Sequence, residues 1–224
     1  MAERILSLYV TYAYTDAHWA LHEDERRIVR RHIAEAVPKV SPAGYIYQAF
    51  PTRVDSDFLL WTSWEADAPE APDRVFGAYH HEIGLLRQYI RPVQVLWGFT
   101  QPSMYSRGKS EQDMDPFAAA TRTRYLVIYP FSKTKDWYLM SMDARQGQMN
   151  EHIKIGKQYF DVKQLLLYSF GLQDQEFVVS YETEELPRFS ELVKLLRSTE
   201  ARRHTELDTP IITGLRRSAE EFIG

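Results

Sequence analysis

The chain has 224 residues, of which 44% are hydrophobic, with no cysteine and a formal net charge of −4 at pH 7. This length and hydrophobic content suit one large domain or two small ones with a sizeable core. Without cysteine the chain cannot form disulfides, thiolate metal sites or iron–sulfur clusters, so a metal must be held by His, Tyr or carboxylate side chains. Charges of both signs are interspersed, which gives no electrostatic footprint for nucleic acid.

No stretch of about eighteen apolar residues occurs in the sequence, and the amino terminus lacks the pattern of a cleaved leader. We therefore predict a soluble, cytoplasmic protein that does not insert into a membrane. The fourteen tyrosines and five tryptophans are compatible with either an ordinary β core or a site for a flat aromatic ligand.

The amino-terminal half alternates between strand and helix patterns. Residues 16–37 have helical periodicity, and we expect Asp16 to cap this helix and the helix to end before Pro38. Stretches of alternating, aromatic-rich sequence predict strands. The predicted elements are strand 5–14, helix 16–37, strands 45–50 and 58–64, helix 71–90 and strand 92–100.

After residues 104–123, which are rich in Ser, Gly, Asp and Thr, the same pattern returns. Its predicted elements are strand 124–131, helix 143–160, strands 162–170 and 176–183, helix 186–204 and strand 209–214. The repeated order predicts an α+β fold of two tandem ferredoxin-like (βαββαβ) units that form a dimeric α+β barrel-type protomer. Two antiparallel sheets packed face to face would enclose a barrel-like ligand cavity.

We therefore divide the chain into three parts. Residues 1–103 form an amino-terminal half with a scaffold and assembly role, residues 104–123 form a linker, and residues 124–224 form the ligand-binding half. The amino-terminal half lacks a tyrosine–proline–lysine group and a matched helical histidine on an apolar face, which is why we expect a scaffold and assembly role for it.

Among the seven histidines, His152 is the exception, because the others lie on charged helices or beside charged residues. It shares the spacing of a buried helix face with Met149, Ile153, Gly156, Tyr159 and Phe160. Gly156, one turn on, leaves room for a flat group beside the imidazole. A histidine on such a face is more often a hydrogen-bonded core residue than a metal ligand, so both interpretations stay open.

The segment RYLVIYPFSK places Tyr129 and Lys133 an even number of residues apart, hence on one face of a regular strand. Pro130 removes a backbone donor, so we expect this stretch at a sheet edge or strand end. Gln164 is an amide within the apolar strand VKQLLLYSF, and we expect it at a strand end or in a polar pocket. The alternative is a core tyrosine and a solvated lysine.

Taken together, the segments YPFSK, DWYLM, EHIKIGKQY, VKQLLLYSF and TEARRH resemble the chlorite dismutase family and, within it, the branch of coproheme decarboxylases. The resemblance covers essentially the whole chain and is strongest over residues 124–214. It implies homo-oligomeric rings, commonly pentamers, of double ferredoxin-like protomers. Haem, or iron coproporphyrin III, would be bound in the carboxy-terminal half.

The resemblance also implies roles for individual residues. His152 would be the axial ligand of the iron. Tyr129 would be oxidised to a radical beside a reactive propionate, and Lys133 would hold the propionate that reacts second. The further porphyrin contacts that the resemblance implies are Tyr105, Trp137 and Arg202.

The implied activity is conversion of iron coproporphyrin III to haem b with hydrogen peroxide as oxidant and loss of two carbon dioxide molecules. Gln164 favours this branch, because chlorite dismutases carry an arginine at the aligned position and a neutral amide provides no full charge for an oxyanion. Two alternatives remain open. One is a haem b peroxidase or weak chlorite-degrading enzyme of the same family; the other is a non-enzymatic α+β barrel that binds a small ligand.

The sequence departs from the family in how propionates are held. The linker after Tyr105 is short, and a loop arginine that contacts a propionate in relatives has no clear counterpart. The candidates to replace it are Arg107, Arg122 and Arg124. Arg202 falls where some relatives have a small hydroxyl residue, and Glu200 is a candidate hydrogen-bond partner for the His152 imidazole.

Overall fold

The computed structural model describes residues 4–106, 108 and 110–224. Within this part the strands are β1 (Ile5–Tyr14), β2 (Ala43–Gln48), β3 (Phe58–Glu65), β4 (Ile90–Phe99), β5 (Tyr125–Lys133), β6 (Lys163–Tyr168), β7 (Phe177–Thr183), β8 (Thr205–Leu207) and β9 (Ile212–Arg217). The α-helices are α1 (Asp16–Trp19), α2 (Glu23–Val40), α3 (Ala71–Gly84), α4 (Lys135–Leu139), α5 (Met142–Gly156), α6 (Leu186–Leu196) and α7 (Ala219–Ile223). Short 3₁₀ helices are formed by Ala119–Thr121 and Glu200–His204.

The strands close into a barrel. In space they follow the order β7, β6, β4, β1, β3, β2, β9, β5, and β5 pairs with β7 again, which closes the ring. All of these pairings are antiparallel. The short β8 pairs with the end of β5, outside the ring. A closed sheet leaves no strand edge open to other chains.

Both halves of the chain use the same strand order. The amino-terminal half contributes β4, β1, β3 and β2, and the carboxy-terminal half contributes β9, β5, β7 and β6. In each case the first strand lies between the fourth and the third, as in a ferredoxin-like unit. The predicted α+β fold of two tandem units in a barrel-type protomer is confirmed.

The interior of the barrel is packed with side chains. We expected two facing sheets around a ligand cavity, but the two sheets join edge to edge, through β2 with β9 and β4 with β6. The enclosed space holds a core cluster that includes Tyr9, Trp61, Leu126 and Leu167. Any ligand site therefore has to lie on the outer face of the sheet, under the helices.

Helices cover that outer face on both halves. On the amino-terminal half, α2 and α3 contribute Val29, Ile33 and Val75 to a core that includes the outward residues of β1. This is why nearly every residue of β1 is buried, since one face fills the barrel and the other meets helices. Across the described residues, no helix is both long and apolar enough to span a membrane.

The helices predicted over 143–160 and 186–204 end early, at Gly156 and Leu196, and three predicted helix boundaries in the amino-terminal half are also wrong. The helix expected over 16–37 is two helices, α1 and α2, with Thr15 and His22 as their caps, so Asp16 lies within the first turn of α1. Helix α2 continues through Pro38, because the apolar contacts of Val37 and Val40 outweigh the backbone bond that proline lacks.

The third wrong boundary is the end of α3. Its predicted helix ran to residue 90, but α3 ends at Gly84. There Leu86 and Arg87 make the tighter bonds to residues three before them. Glycine costs about 1 kcal/mol in a helix interior, which favours this unwinding.

Candidate active site

Strand β5 carries two of the predicted site residues toward the helices. Leu126 and Ile128 lie in the barrel interior, whereas Tyr129 and Phe131 pack in the outer core beneath α5 and α6. A register shift follows Ser132, and Lys133 then also extends toward the helical layer, where it contacts the 3₁₀ helix Glu200–His204. The strand thus presents a phenol and an ammonium group to the same layer.

Pro130 lies where β5 changes its neighbour. On one side, β9 pairs with Tyr125–Ile128 and β8 pairs with Ser132 and Lys133. Pro130 falls in the gap between them, where its missing N–H interrupts no ladder. On the other side, β7 pairs with nearly the whole strand. The predicted sheet edge is therefore a local gap on one side of an internal strand.

Gln164 lies on the same outer face, one strand away from β5. Its neighbour Leu165 and the residue Leu167 point into the barrel, so Gln164 points outward. It is opposite Tyr181 of β7, the strand that separates β6 from β5. The amide is exposed at the start of β6, which matches the strand-end alternative.

Helix α5 brings His152 to this layer. The Ser141 side chain accepts a hydrogen bond from the Ala144 N–H and fixes the start of the helix. Of the predicted buried face only Tyr159 is buried, and its members on α5 are half-buried. Phe160 is 61% exposed, because α5 ends at Gly156 and the chain then changes direction. An added Cβ at Gly156 would meet no atom within 4 Å, so space remains beside the helix.

The imidazole of His152 is neutral at physiological pH. Burial, followed by the nearby Lys133 cation, lowers its pKa to about 4, while Glu151 opposes the shift. Its Nδ1 is buried and has no hydrogen-bond partner among the described residues. The neutral form is the one that can ligate a metal ion.

Glu200 is not the partner of that imidazole. Its carboxylate lies 3.1 Å from the Arg203 guanidinium, and its N–H points to Glu151. The predicted contact between Glu200 and His152 is therefore wrong, because the 3₁₀ helix turns the Glu200 side chain outward.

Lys133 lies between an aromatic ring and the 3₁₀ helix. Its Nζ is 4.6 Å from the Trp137 ring centroid and donates to the Ala201 carbonyl at 3.2 Å and the Thr205 hydroxyl at 3.3 Å. Burial, followed by the Arg202 cation, lowers the pKa of Lys133 to about 8. The group is a desolvated cation that would gain from a nearby carboxylate.

Trp137 connects the remaining predicted contacts. It is buried in α4, and its ring centroid lies 6.2 Å from that of Tyr105 and 5.7 Å from that of His204. The Gln146 side chain of α5 donates to the Tyr105 carbonyl, which fixes this part of the linker over the helix. Trp137 and Tyr105 thus lie at the same end of the site as Lys133.

Tyr129 has a tyrosine neighbour that the sequence did not single out. Its ring stacks with that of Tyr181, with centroids 6.0 Å apart. Burial raises the pKa of Tyr129, and the neighbouring Tyr181 hydroxyl partly offsets this. The two residues are diagonal neighbours on adjacent strands, a relation that depends on register and leaves no signal in the local sequence.

Most of the arginines that are candidates to hold a propionate form ion pairs with acidic side chains of the chain. Arg202 lies 2.8 Å from Asp208, although its charge still reaches Lys133. Arg122 is buried in the barrel wall, 3.4 Å from Glu182, and Arg124 lies 3.8 Å from Glu184. Arg107 lies outside the described residues.

The residues present fit an iron porphyrin. The layer between β5 and α5 offers a neutral imidazole with an unpartnered nitrogen, aromatic rings and a desolvated cation. Histidine is a common axial ligand of haem iron, and apolar and aromatic walls with a few charges are typical of cofactor sites. His152 would hold the iron, and Lys133 would meet a carboxylate of the ligand.

A family sequence model described as chlorite dismutase matches residues 17–217. The chain belongs to the chlorite dismutase family. A relative from Mycolicibacterium smegmatis named coproheme decarboxylase is 31% identical over 80% of this chain and 74% of its own length. One of the same name from Staphylococcus saprophyticus is 29% identical over 66% of this chain and 64% of its own length. The predicted family and the prediction of an enzyme are confirmed by these relatives.

Solved structures of the family agree in fold. A putative chlorite dismutase has a TM-score of 0.77 and 28% identity, and the match covers 100% of this chain and 98% of that one. A mutant chlorite dismutase from Candidatus Nitrospira defluvii has a TM-score of 0.82 over 98% of this chain and 93% of that one. Its identity is 19%, so this second match shows the fold alone.

Proposed function

We propose that this protein is a coproheme decarboxylase, which converts iron coproporphyrin III to haem b by turning two propionates into vinyl groups at the expense of hydrogen peroxide. The names of the curated relatives support this reaction. The observation that carries it is the convergence of Tyr129, Lys133 and the neutral His152 between one strand and one helix. His152 would be the axial ligand, and the iron porphyrin would supply the oxidising chemistry.

Tyr129 would act on the substrate directly. A buried phenol with a raised pKa keeps its proton, so its oxidation removes an electron and a proton together. The resulting tyrosyl radical takes a hydrogen atom from the β-carbon of the adjacent propionate. The bond to the carboxylate then breaks, carbon dioxide leaves a vinyl group behind, and the one remaining electron would pass to the peroxide-oxidised iron porphyrin.

The redox balance of the reaction is simple. Each propionate loses carbon dioxide, one proton and two electrons as it becomes a vinyl group. One molecule of hydrogen peroxide accepts those two electrons and, with two protons, becomes two molecules of water. Two propionates therefore require two molecules of peroxide.

Lys133 and Gln164 would position the reactants. The Lys133 ammonium group is largely protonated at neutral pH even with its lowered pKa of about 8, so it can hold a carboxylate. Gln164 would orient peroxide through a neutral amide. An amide provides no full charge for hypochlorite, which disfavours chlorite decomposition. Tyr105, Trp137 and Arg202 would complete the walls around the porphyrin.

The test is to add ferric coproporphyrin III to the purified protein, titrate with hydrogen peroxide, and identify the porphyrins by chromatography and mass. We expect two successive losses of carbon dioxide, through a monovinyl intermediate. Binding followed only by bleaching would favour the haem b peroxidase instead. No change in the porphyrin spectrum on mixing would favour a non-enzymatic barrel with His152 in its core.

Replacing Tyr129 by Phe should separate binding from chemistry. Phe keeps the ring in the outer core but has no hydroxyl to oxidise, so ferric coproporphyrin should bind with nearly unchanged affinity. Decarboxylation should fall below detection when peroxide is added. Unchanged turnover in this variant would discard the radical role of Tyr129.

Assembly and location also belong to the proposal. We expect a homo-oligomer, a pentamer, in the cytoplasm. Exposed apolar side chains such as Leu139 and Met104 fit contacts with further copies. Light scattering on the eluting protein would give the number of protomers.

A further inference from the structure

Helix α5 lacks an apolar face against the sheet. None of its residues is fully buried, whereas α2, the corresponding helix of the amino-terminal half, buries several. An apolar stripe is what normally holds a helix on a sheet. The inner face of α5 is therefore suited to meet something other than the sheet.

Side chains on that face carry buried polar atoms without a partner among the described residues. They are Nε of Arg145, Oε1 of Gln148 and Nδ1 of His152. Positions i, i+3 and i+7 share one face of an α-helix. Buried polar atoms in native proteins are nearly always hydrogen-bonded, so this row of unpartnered atoms indicates a polar ligand along α5.

Arg145 is the cation of this row. Within the described part of the chain it has no ion pair, unlike Arg197 and Arg202, which both contact Asp208. The Gln148 amide nitrogen already contacts His204. Arg145 is thus a cation in the row of unpartnered atoms on α5, without an ion pair among the described residues.

The surroundings place Arg145 at the same end of the site as Lys133. Gln146, next to Arg145 in α5, donates to the Tyr105 carbonyl, and Gln148, one turn on, contacts His204. The Tyr105 and His204 rings both lie beside Trp137, over which the Lys133 ammonium group is placed. The Tyr138 hydroxyl donates to the Glu176 carboxylate, which also accepts from the Lys133 backbone N–H at 2.8 Å. Glu176 is therefore already engaged by these two groups.

From this placement we infer that Arg145 binds a propionate carboxylate of the porphyrin. The inference rests on the proposed function. Seven residues of α-helix span about 10 Å, so Arg145 stands at the periphery of a ring centred on His152. Its planar guanidinium can hold a carboxylate through two parallel hydrogen bonds.

The test compares ferric coproporphyrin III with its tetramethyl ester, which has the same ring and no carboxylate charge. Dissociation constants come from the Soret absorbance, without peroxide. Arg145→Gln should weaken binding of the tetra-acid by about tenfold or more and leave binding of the ester nearly unchanged. Arg145→Lys keeps the charge but lacks the planar guanidinium, so its affinity for the tetra-acid should lie between those of the wild type and Arg145→Gln.

A matched control is Arg31→Gln, which removes the same charge from an exposed position of α2 in the other half. It should bind both porphyrins as the wild type does. Equal weakening of acid and ester in Arg145→Gln, or none in either, would overturn the inference. Wild-type protein that binds neither porphyrin would instead defeat the proposed function.

Discussion

Tyr181 is the polar neighbour of the Tyr129 phenol. The two rings stack with centroids 6.0 Å apart, and Tyr181 partly offsets the rise that burial causes in the pKa of Tyr129. In the proposed reaction Tyr181 is therefore a positioning residue for the phenol that is oxidised. Its own ring is held in place by contact with Phe189.

Replacing Tyr181 by Phe should therefore slow decarboxylation without weakening porphyrin binding. The loss of one polar contact, about 0.5–1.5 kcal/mol, predicts a rate reduction of roughly twofold to tenfold. The spectrum of the tyrosyl radical, measured by electron paramagnetic resonance, should shift as well. Tyr79→Phe is a matched control, since it removes a hydroxyl from the Tyr12–Tyr79 pair in the other half. Equal rates in both variants would contradict the positioning role.

A buried histidine of the amino-terminal half, His18, affects how the stability of the fold depends on pH. His18 is fully buried, stacked on Tyr14 with ring centroids 3.9 Å apart, and neither ring nitrogen has a partner among the described residues. Burial, followed by the charges of Arg30 and Arg26, lowers its pKa to about 4. The unfolded chain binds this proton near pH 6.5, so acid favours unfolding between about pH 6.5 and pH 4.

His18→Gln should therefore weaken the acid sensitivity of folding. Between pH 7 and pH 4.5, the wild type should lose on the order of 2 kcal/mol more stability than the variant. Urea unfolding of the apoprotein at both pH values measures this difference. His32→Gln, at an exposed position of α2, is the control and should follow the wild type. Parallel losses in His18→Gln and wild type would contradict the prediction.

At the scale of elements, the two halves differ in what lies between the sheet and the helix that covers it. His22 caps α2 and Ser141 caps α5, and eleven residues after each cap come Ile33 and His152. Ile33 is fully buried in the outer core of its half. The layer that is open to a ligand under α5 is thus closed by apolar side chains under α2, which fits a scaffold role for the amino-terminal half.

Local sequence patterns predicted the existence of the strands and helices better than their ends. Strands and helices were located because their periodicity is local, and His152 was singled out because it shares a helical spacing with apolar residues such as Ile153 and Tyr159. The face that this spacing predicted is only half-buried along α5. Helix ends at Pro38 and Gly84 were placed wrongly, since tertiary contacts and local turn bonds decide them.

Side-chain contacts between neighbouring strands could not be predicted from local sequence patterns. Tyr181 faces Tyr129 only because of the register between β5 and β7. The position of Arg145 could have been predicted, since it lies seven residues before His152 and hence on the same helix face. What the sequence did not reveal is that its guanidinium lacks a partner, which depends on the side chains around it.

At the scale of the whole molecule, the barrel depends on two seams that join the halves. Only Phe99 and Tyr168 pair directly at the β4–β6 seam, within the described chain. Ser169 adds a hydrogen bond from its hydroxyl to the Trp97 carbonyl. Gly98 lies at the same place, and its lack of a side chain lets the two strands approach.

Gly98→Ala should destabilise the fold by opening this seam. An added Cβ would lie 2.6 Å from the Tyr168 carbonyl oxygen and 2.6 Å from the Ser169 hydroxyl, and the carbonyl belongs to the backbone and cannot simply rotate away. Overpacking of this kind costs about 1–3 kcal/mol, measurable as a lower midpoint in urea unfolding. Gly77→Ala in α3 is the control, because its added Cβ meets no atom within 4 Å and alanine favours the helix. The seam joins the two halves, whereas β5 and α5 belong to one of them. The urea midpoint of Gly98→Ala should therefore fall while its dissociation constant for ferric coproporphyrin III stays near that of the wild type. A large loss of both stability and affinity would show that the site depends on barrel closure.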